Sequence, residues 1–287
     1  MIGGGIFEFL ASHSGDDEED WIEKADVFVQ RVSEAKKIAS TTNDLLAKEY
    51  WCVLEALKAQ RFYISAFHYL KKGSYYEAWC EFARSEGVLI HLARHFKNNW
   101  TRTRLDFVER YIEKWQSLFP YKVFFSPEIL EHEKKCNICD KVVLIRSPCG
   151  HQVGEIYGGE QCIRIVTKQE LLGLSVVDHP VQKYSVAFNT DPETNQKIDH
   201  YDYHLVEFAI RRLQHPFITW EYELTKTLHP HSNYSHIGRN APCPCGAPQK
   251  YKRCCLLQSG VLRPHYEFSF GNPLTEDLRE TEYSRSH

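Results

Sequence analysis

No stretch of this 287-residue chain approaches the ~20 consecutive apolar residues that crossing a bilayer as a helix needs. The opening MIGGGIFEFLASH has neither a basic n-region nor a cleavage site, so the expectation is a cytoplasmic protein. There is no GxxxxGKS/T loop to cradle phosphates, no HExxH helix and no GxSxG elbow. Those absences remove P-loop, zincin and α/β-hydrolase chemistry. Charge of one sign is locally missing too: no Asp or Glu stands between Leu224 and Tyr266, where Lys226, Arg239, Lys250, Lys252, Arg253 and Arg263 all lie. The net charge of −3 selects no partner class, and only this uneven distribution is informative.

The composition, 43% hydrophobic over 287 residues, supports a sizeable core in one large domain or two. Residues 16 to 119 read as helices. Ile22, Ala25, Val29, Val32 and Ala35 form one apolar stripe, and Leu46, Val53, Leu54, Leu57, Phe67 and Leu70 a second. Two more stripes follow, from Ala78 to Phe96 and from Leu105 to Trp115, the last stopped by Pro120. Short connections favour a bundle over residues 1–120. The acidic run Asp16 to Asp20 suits a helix N-terminus. Residues 71–79, KKGSYYEAW, faintly resemble the turn of a tetratricopeptide helix pair, but no second copy is found.

From Tyr121 the period changes, and 121–228 is expected to be an α+β domain. Ser126-Pro127 reads as the start of a short helix towards Lys135. Val142 to Ile145, Ile163 to Val166 and Val181 to Phe188 read as strands, Leu205 to Leu213 as a helix, and 217–225 as a strand. Residues 229–236, with His229, His231 and His236, have linker composition, 237–258 form a compact module, and 259–287 a tail.

Cysteine carries the chemistry. Eight of the ten cysteines follow residue 135 in tight clusters, whereas Cys52 and Cys80 stand alone in helical patterns as ordinary packed residues. In a reducing compartment, clusters of this kind suit metal ligation better than disulfides. Cys243 and Cys245, then Cys254 and Cys255, supply the four ligands of a closed structural site. Cys136 and Cys139 make a CxxC knuckle, followed by Cys149, His151 and Cys162, so five donors compete for four places. Cys136, Cys139 and His151 are the firmest, and the fourth is Cys162 or Cys149. Spacing of this kind belongs to zinc ribbons and treble clefs. Two Zn²⁺ ions are expected, one per cluster. Glu155 and Glu160 could act as a base beside an open metal, and His200 and His204 could share an ion across one helical turn.

Gly238-Arg239-Asn240, Pro242-Cys243-Pro244-Cys245-Gly246, Lys250-Tyr251-Lys252 and Cys254-Cys255 together resemble the SEC-C zinc-binding motif, found at the C-terminus of the SecA preprotein translocase ATPase and in many other bacterial proteins. Ala247-Pro248-Gln249 departs from the usual Ser-Gly-Lys and removes no ligand. The resemblance implies a small zinc module with ribosomes, chaperones or lipids as partners. Four thiolates around Zn²⁺ carry −2, which Arg239, Lys250, Lys252 and Arg253 more than offset, while Tyr251 would offer a stacking face to an anionic partner. The same bases could instead only compensate the metal site.

The expectation is therefore a mainly α chain: an N-terminal helical bundle, a central treble-clef or zinc-ribbon-like α+β part, and a C-terminal SEC-C module. Such a chain reads as a zinc-dependent binding or adaptor protein contacting a protein, ribosome or nucleic acid. The rival readings are a metal-dependent enzyme acting on nucleic acid, as a stress or phage-defence factor, and a membrane-surface factor that inserts Ile2, Ile6, Phe7, Phe9 and Leu10.

Overall fold

The computed structural model describes residues 3–11, 18–271 and 280–283. They divide into two compact units, Met1–Glu207 with His215–Phe217, and Phe208–Gln214 with Ile218–His287.

The first unit opens with α1 (Gly3–Ala11), α2 (Glu18–Thr42), α3 (Asp44–Lys71), α4 (Tyr75–Phe96) and α5 (Leu105–Leu118). Several boundaries have a local cause. Asn43 caps α3 by accepting the Leu46 N–H at 3.1 Å. Gly73, at φ +74°, supplies the left-handed turn that lets α4 pack back on α3. Pro120 forces Phe119 into extended backbone, which ends α5. On α5, Leu105, Val108, Ile112 and Trp115 are buried at three- and four-residue spacing, as the sequence stripe requires.

A buried polar cross-tie organises this bundle: Gln60 on α3 donates to Leu10 O at 3.0 Å and to Thr103 O at 2.6 Å. Ile6 and Leu10 are fully buried, so the apolar opening segment belongs to the chain's own core and is not free to enter a membrane. Phe9 stacks on Trp21 at 5.3 Å. Ile2, Asp16 and Asp17 lie outside the described residues.

Beyond the bundle, β1 (Phe124–Cys136) and β4 (Arg164–Val177) form a long antiparallel ribbon, from Phe124 opposite Val177 to Cys136 opposite Arg164. Between and after them lie the small hairpins β2 (Ile156–Tyr157) with β3 (Glu160–Gln161), and β5 (Asn189–Thr190) with β6 (Lys197–Ile198). The ribbon corrects the expected helix over 126–135. The residue before a proline is steered to extended backbone, and here the whole run pairs with β4. The strand expected at Val181 to Phe188 is a loop with a single bridge, Phe124 to Val186. Trp79 Nε1 donating to Lys183 O at 2.5 Å and Tyr76 OH to Tyr184 O at 2.7 Å hold that loop in place. Val142 and Leu144 likewise form only isolated bridges, while Ile163 to Val166 leads into the longer β4.

The second unit is built on β7 (Thr219–His229), β8 (Val261–Gly271) and β9 (Glu280–Tyr283), in the order β7-β8-β9. Residues 261–271, expected as tail, are therefore a strand. Trp220 and Phe268 are buried on this sheet and Phe208 packs on Phe268 at 5.1 Å. Phe208 belongs to α6 (His204–Arg212), the helix expected at 205–213.

Candidate metal centres

Both cysteine clusters sit at the tip of an antiparallel ribbon. The central cluster fills the connection between β1 and β4, and Cys136 is the last residue of β1 to pair. The C-terminal cluster fills the connection between β7 and β8, whose last pair is His229 with Val261. The ribbon fixes the two ends of each loop, which lowers the entropy cost of gathering the ligands.

In the C-terminal cluster the sulfurs of Cys243, Cys245, Cys254 and Cys255 all lie within 4.8 Å of one another. Cys245 to Cys254 is 3.6 Å and Cys254 to Cys255 is 3.9 Å. Four thiolates ~2.3 Å from a tetrahedral ion would stand about 3.8 Å apart, so the donor set fits a metal. Gly246, at φ +85°, turns the chain between the first pair and Lys250. Burial pushes the Cys243 thiol up, but the N–H groups of Cys245 and Cys255 overcome it and hold the group at about 7. Hydrogen bonds with Cys245 and Cys243 push Cys254 the other way, to about 12.

Around the thiols lies a small core in which Tyr234, Cys243, Tyr251, Cys255 and Val261 are buried, with Ile237, Cys245 and Cys254 packed against them. Tyr251 is 3% exposed, and its hydroxyl meets His231 Nδ1 at 2.6 Å, while His231 Nε2 lies 2.9 Å from Gln258 O. This corrects two expectations. Tyr251 is not an exposed stacking face, because its ring is buried with the cysteines. His231 is not part of a free linker, because it buttresses that ring. Arg239, Lys250 and Arg253 are exposed, and Lys252 is half-buried.

In the central cluster the donor atoms of Cys136, Cys139, Cys149 and His151 lie within 4.8 Å of one another, with Cys136 Sγ 3.8 Å from His151 Nδ1. Cys162 stands outside that set, although its sulfur is 3.9 Å from that of Cys136. It accepts a hydrogen bond from Arg164 at 3.2 Å, and the same guanidinium donates to His151 O at 2.6 Å. Burial raises the Cys136 thiol, but the N–H groups of Cys139 and Ile138 reverse that and bring it to about 6. Asn137 staples the knuckle to the returning strand, accepting from Ile163 N at 2.8 Å and donating to Gln161 O at 2.9 Å. The sequence offered no signal for Arg164 or Asn137 beyond their nearness to cysteines.

The loop of this cluster rests on the helices. Gly158 N donates to Asp44 Oδ1 at 2.6 Å, His95 Nε2 lies 2.7 Å from Gly154 O, and Lys36 pairs with Glu160 at 2.6 Å. Arg94 pairs with Glu155. Both carboxylates considered as a catalytic base are thus engaged by cations. His200 lies before α6, stacked on Tyr201 at 4.4 Å, and His204 lies 3.1 Å from Asp202; among the described residues neither belongs to a group of three or more close donors. Cys52 is buried, its thiol pushed up to about 11 by desolvation, and Cys80 is half-buried. Among the described residues, no helix is long and apolar enough to cross a membrane.

No solved structure matches this chain. Among curated proteins, the protein translocase subunit SecA 1 of Rhodopirellula baltica is 67% identical over 24 residues, which is 8% of this chain and 2% of that relative. The SEC-C motif matches residues 239–257, the span that contains all four C-terminal thiols. The chain carries a SEC-C motif, seated at the end of the β7–β8 ribbon.

Proposed function

We propose that this chain is a zinc-dependent binding protein whose SEC-C module presents a basic face to a polyanionic partner, ribosomal RNA or another nucleic acid. The observation that carries the reading is the pairing of a close set of four thiols with a surrounding stretch of sequence that holds no acid. Arg239, Lys250 and Arg253 are exposed around it, and no carboxylate occurs from residue 225 to 265. Leu257, 78% exposed beside these bases, adds an apolar contact. Zinc is the fitting ion because it takes four thiolates, or three with one imidazole, in closed tetrahedral sites. Cys243, Cys245, Cys254 and Cys255 would hold one ion, and Cys136, Cys139, Cys149 and His151 the other. Cys162, held by Arg164, is then an outer partner of the central ion rather than a ligand.

Both ions are structural in this reading. With all four places filled by protein donors and Glu155 and Glu160 paired to Arg94 and Lys36, water activation has neither a place nor a base. The helical bundle would select a second partner, which makes the chain an adaptor.

The test is fluorescence anisotropy with a single-stranded RNA at several salt concentrations. Each phosphate neutralised contributes about −0.7 to the slope of log K against log salt, so four bases give roughly −3. Replacing Lys250, Lys252 and Arg253 together by Gln should cut the slope to about −1 and weaken binding uniformly across sequences. An unchanged slope would remove the basic face from the account and leave those residues as compensation for the metal site.

A further inference from the structure

The helical bundle holds a cavity of about 910 Å³ that neither metal centre occupies. It opens between α1, α2, the first half of α3 and the end of α4 with the turn after it, wholly within the first unit. Its volume falls in the ~300–1,000 Å³ range of sites that take small molecules. The lining is graded. Ile6, Val32, Cys52, Val53 and Phe96 are buried and form the inner wall, whereas Lys48 is half-buried and Leu45, Glu49 and Arg102 are exposed at the mouth. Apart from the Cys52 thiol the inner wall offers no polar side chain, so water gains little there and an alkyl chain gains its transfer free energy.

The charges at the mouth are unbalanced. Two cations, Lys48 and Arg102, share it with one acid, Glu49. The neighbouring cations Arg94 and Lys97 are paired with Glu155 and Glu109, but among the described residues neither Lys48 nor Arg102 makes an ion pair. His95, also in the lining, is engaged with Gly154 O at 2.7 Å. Arg102 is held in place as well: its guanidinium lies 4.2 Å from the centre of the Phe7 ring, and Phe7 stacks on Phe96 at 6.2 Å. A guanidinium fixed on an aromatic face keeps its planar fork of donors for a carboxylate. Burial raises the Cys52 thiol and the Lys48 ammonium pulls against it, which sets that cation near the inner wall.

We propose that this cavity binds a free long-chain carboxylate, with the alkyl chain along the apolar wall and the head group at Lys48 and Arg102. The two-to-one charge at the mouth selects an anion, and the wall without donors or acceptors selects an unbranched apolar body.

Titration calorimetry on the full chain as isolated, with octanoate, decanoate and dodecanoate below their micelle concentrations, tests this. Affinity should rise about fourfold per added methylene. Decanol should bind about fivefold more weakly than decanoate, and decylammonium more weakly still. Arg102→Gln should cut decanoate affinity about fivefold and leave decanol unchanged, whereas Glu49→Gln should raise decanoate affinity. Cys52→Phe fills the inner wall and should abolish binding of all three carboxylates; should it fail to fold, the exposed Arg102→Gln still decides. Decanoate should protect amides in 45–53 and 95–102 from exchange. Affinity independent of chain length, decylammonium binding as tightly as decanoate, an Arg102→Gln loss shared by decanol, protection confined to other segments, or protection seen only with anionic lipid vesicles would each overturn the proposal.

Discussion

Replacing Gly159 by Ala probes whether the central cluster is built into the helical bundle or merely hangs from the ribbon. Gly159 has φ +75°, and a Cβ there would meet Lys36 Cγ at 2.9 Å, Lys36 Cδ at 3.1 Å and Ala47 O at 3.2 Å. The left-handed backbone costs an alanine about 1–2 kcal/mol. The Lys36 stem can swing aside, losing its exposed ion pair with Glu160, which is worth at most ~1 kcal/mol. The Ala47 carbonyl belongs to α3 and cannot move alone, so overpacking adds roughly 1–2 kcal/mol. The expected total is about 2–5 kcal/mol. Gly73→Ala is the comparison, because Gly73 has φ +74° but its nearest neighbour to a Cβ is Tyr75 OH at 3.9 Å, leaving backbone strain of about 1–2 kcal/mol as its only cost. Urea unfolding followed by helical ellipticity measures both. If Gly159→Ala costs no more than Gly73→Ala, the loop does not rest on α2 and α3, and the docking described above is wrong.

Three further outcomes follow from the same geometry. Chelation should unfold residues 230–260 while leaving α3 and α4 protected in amide exchange, because the C-terminal core has five buried residues, two of them ligands, and a small zinc module takes ~10 kcal/mol of its folding energy from the ion. Zinc binding to the metal-free chain should release protons at pH 7, since the Cys254 thiol, held up at about 12, must lose its proton to ligate. Zinc affinity should fall as pH is lowered and fall more steeply below about 7, where the metal-free Cys243 thiol also takes up a proton; titration calorimetry in buffers of differing ionisation enthalpy reads the release, and a count of zero contradicts the ligand assignment. Finally, Tyr251→Phe should destabilise the C-terminal module by about 1 kcal/mol through the lost bond to His231 and leave RNA affinity unchanged, whereas a selective loss of affinity would mean that the ring contacts the partner.

Much of the helical region is legible in the sequence because its stripes recur at helical spacing and nothing competes with them. Leu105, Val108, Ile112 and Trp115 are buried where that period places them. The thiol clusters are legible because metal ligation fixes both residue type and spacing. The ribbons are not legible, for a physical reason. Phe124 pairs with Val177 across more than fifty residues, and along most of β1 both faces are exposed, so burial imposes no alternation for a period-two reading to find. From sequence Pro127 therefore reads as a helix start, whereas it lies within the strand β1. The burial of Tyr251 is not legible either, because a tyrosine among bases looks the same in sequence whether its ring faces solvent or packs against the thiols. That Cys149, and not Cys162, falls within the close donor group is visible only in three dimensions, as is Arg164 reaching Cys162 Sγ and the carbonyl of His151.

The central claim, two independent structural zinc centres at the tips of two ribbons, is tested most directly by elemental analysis of metal per chain on native protein and on Cys254→Ser with Cys255→Ser. The account predicts two zinc ions in the native chain and one in the variant. A single ion that persists in the variant, or a variant that still holds two, would contradict it.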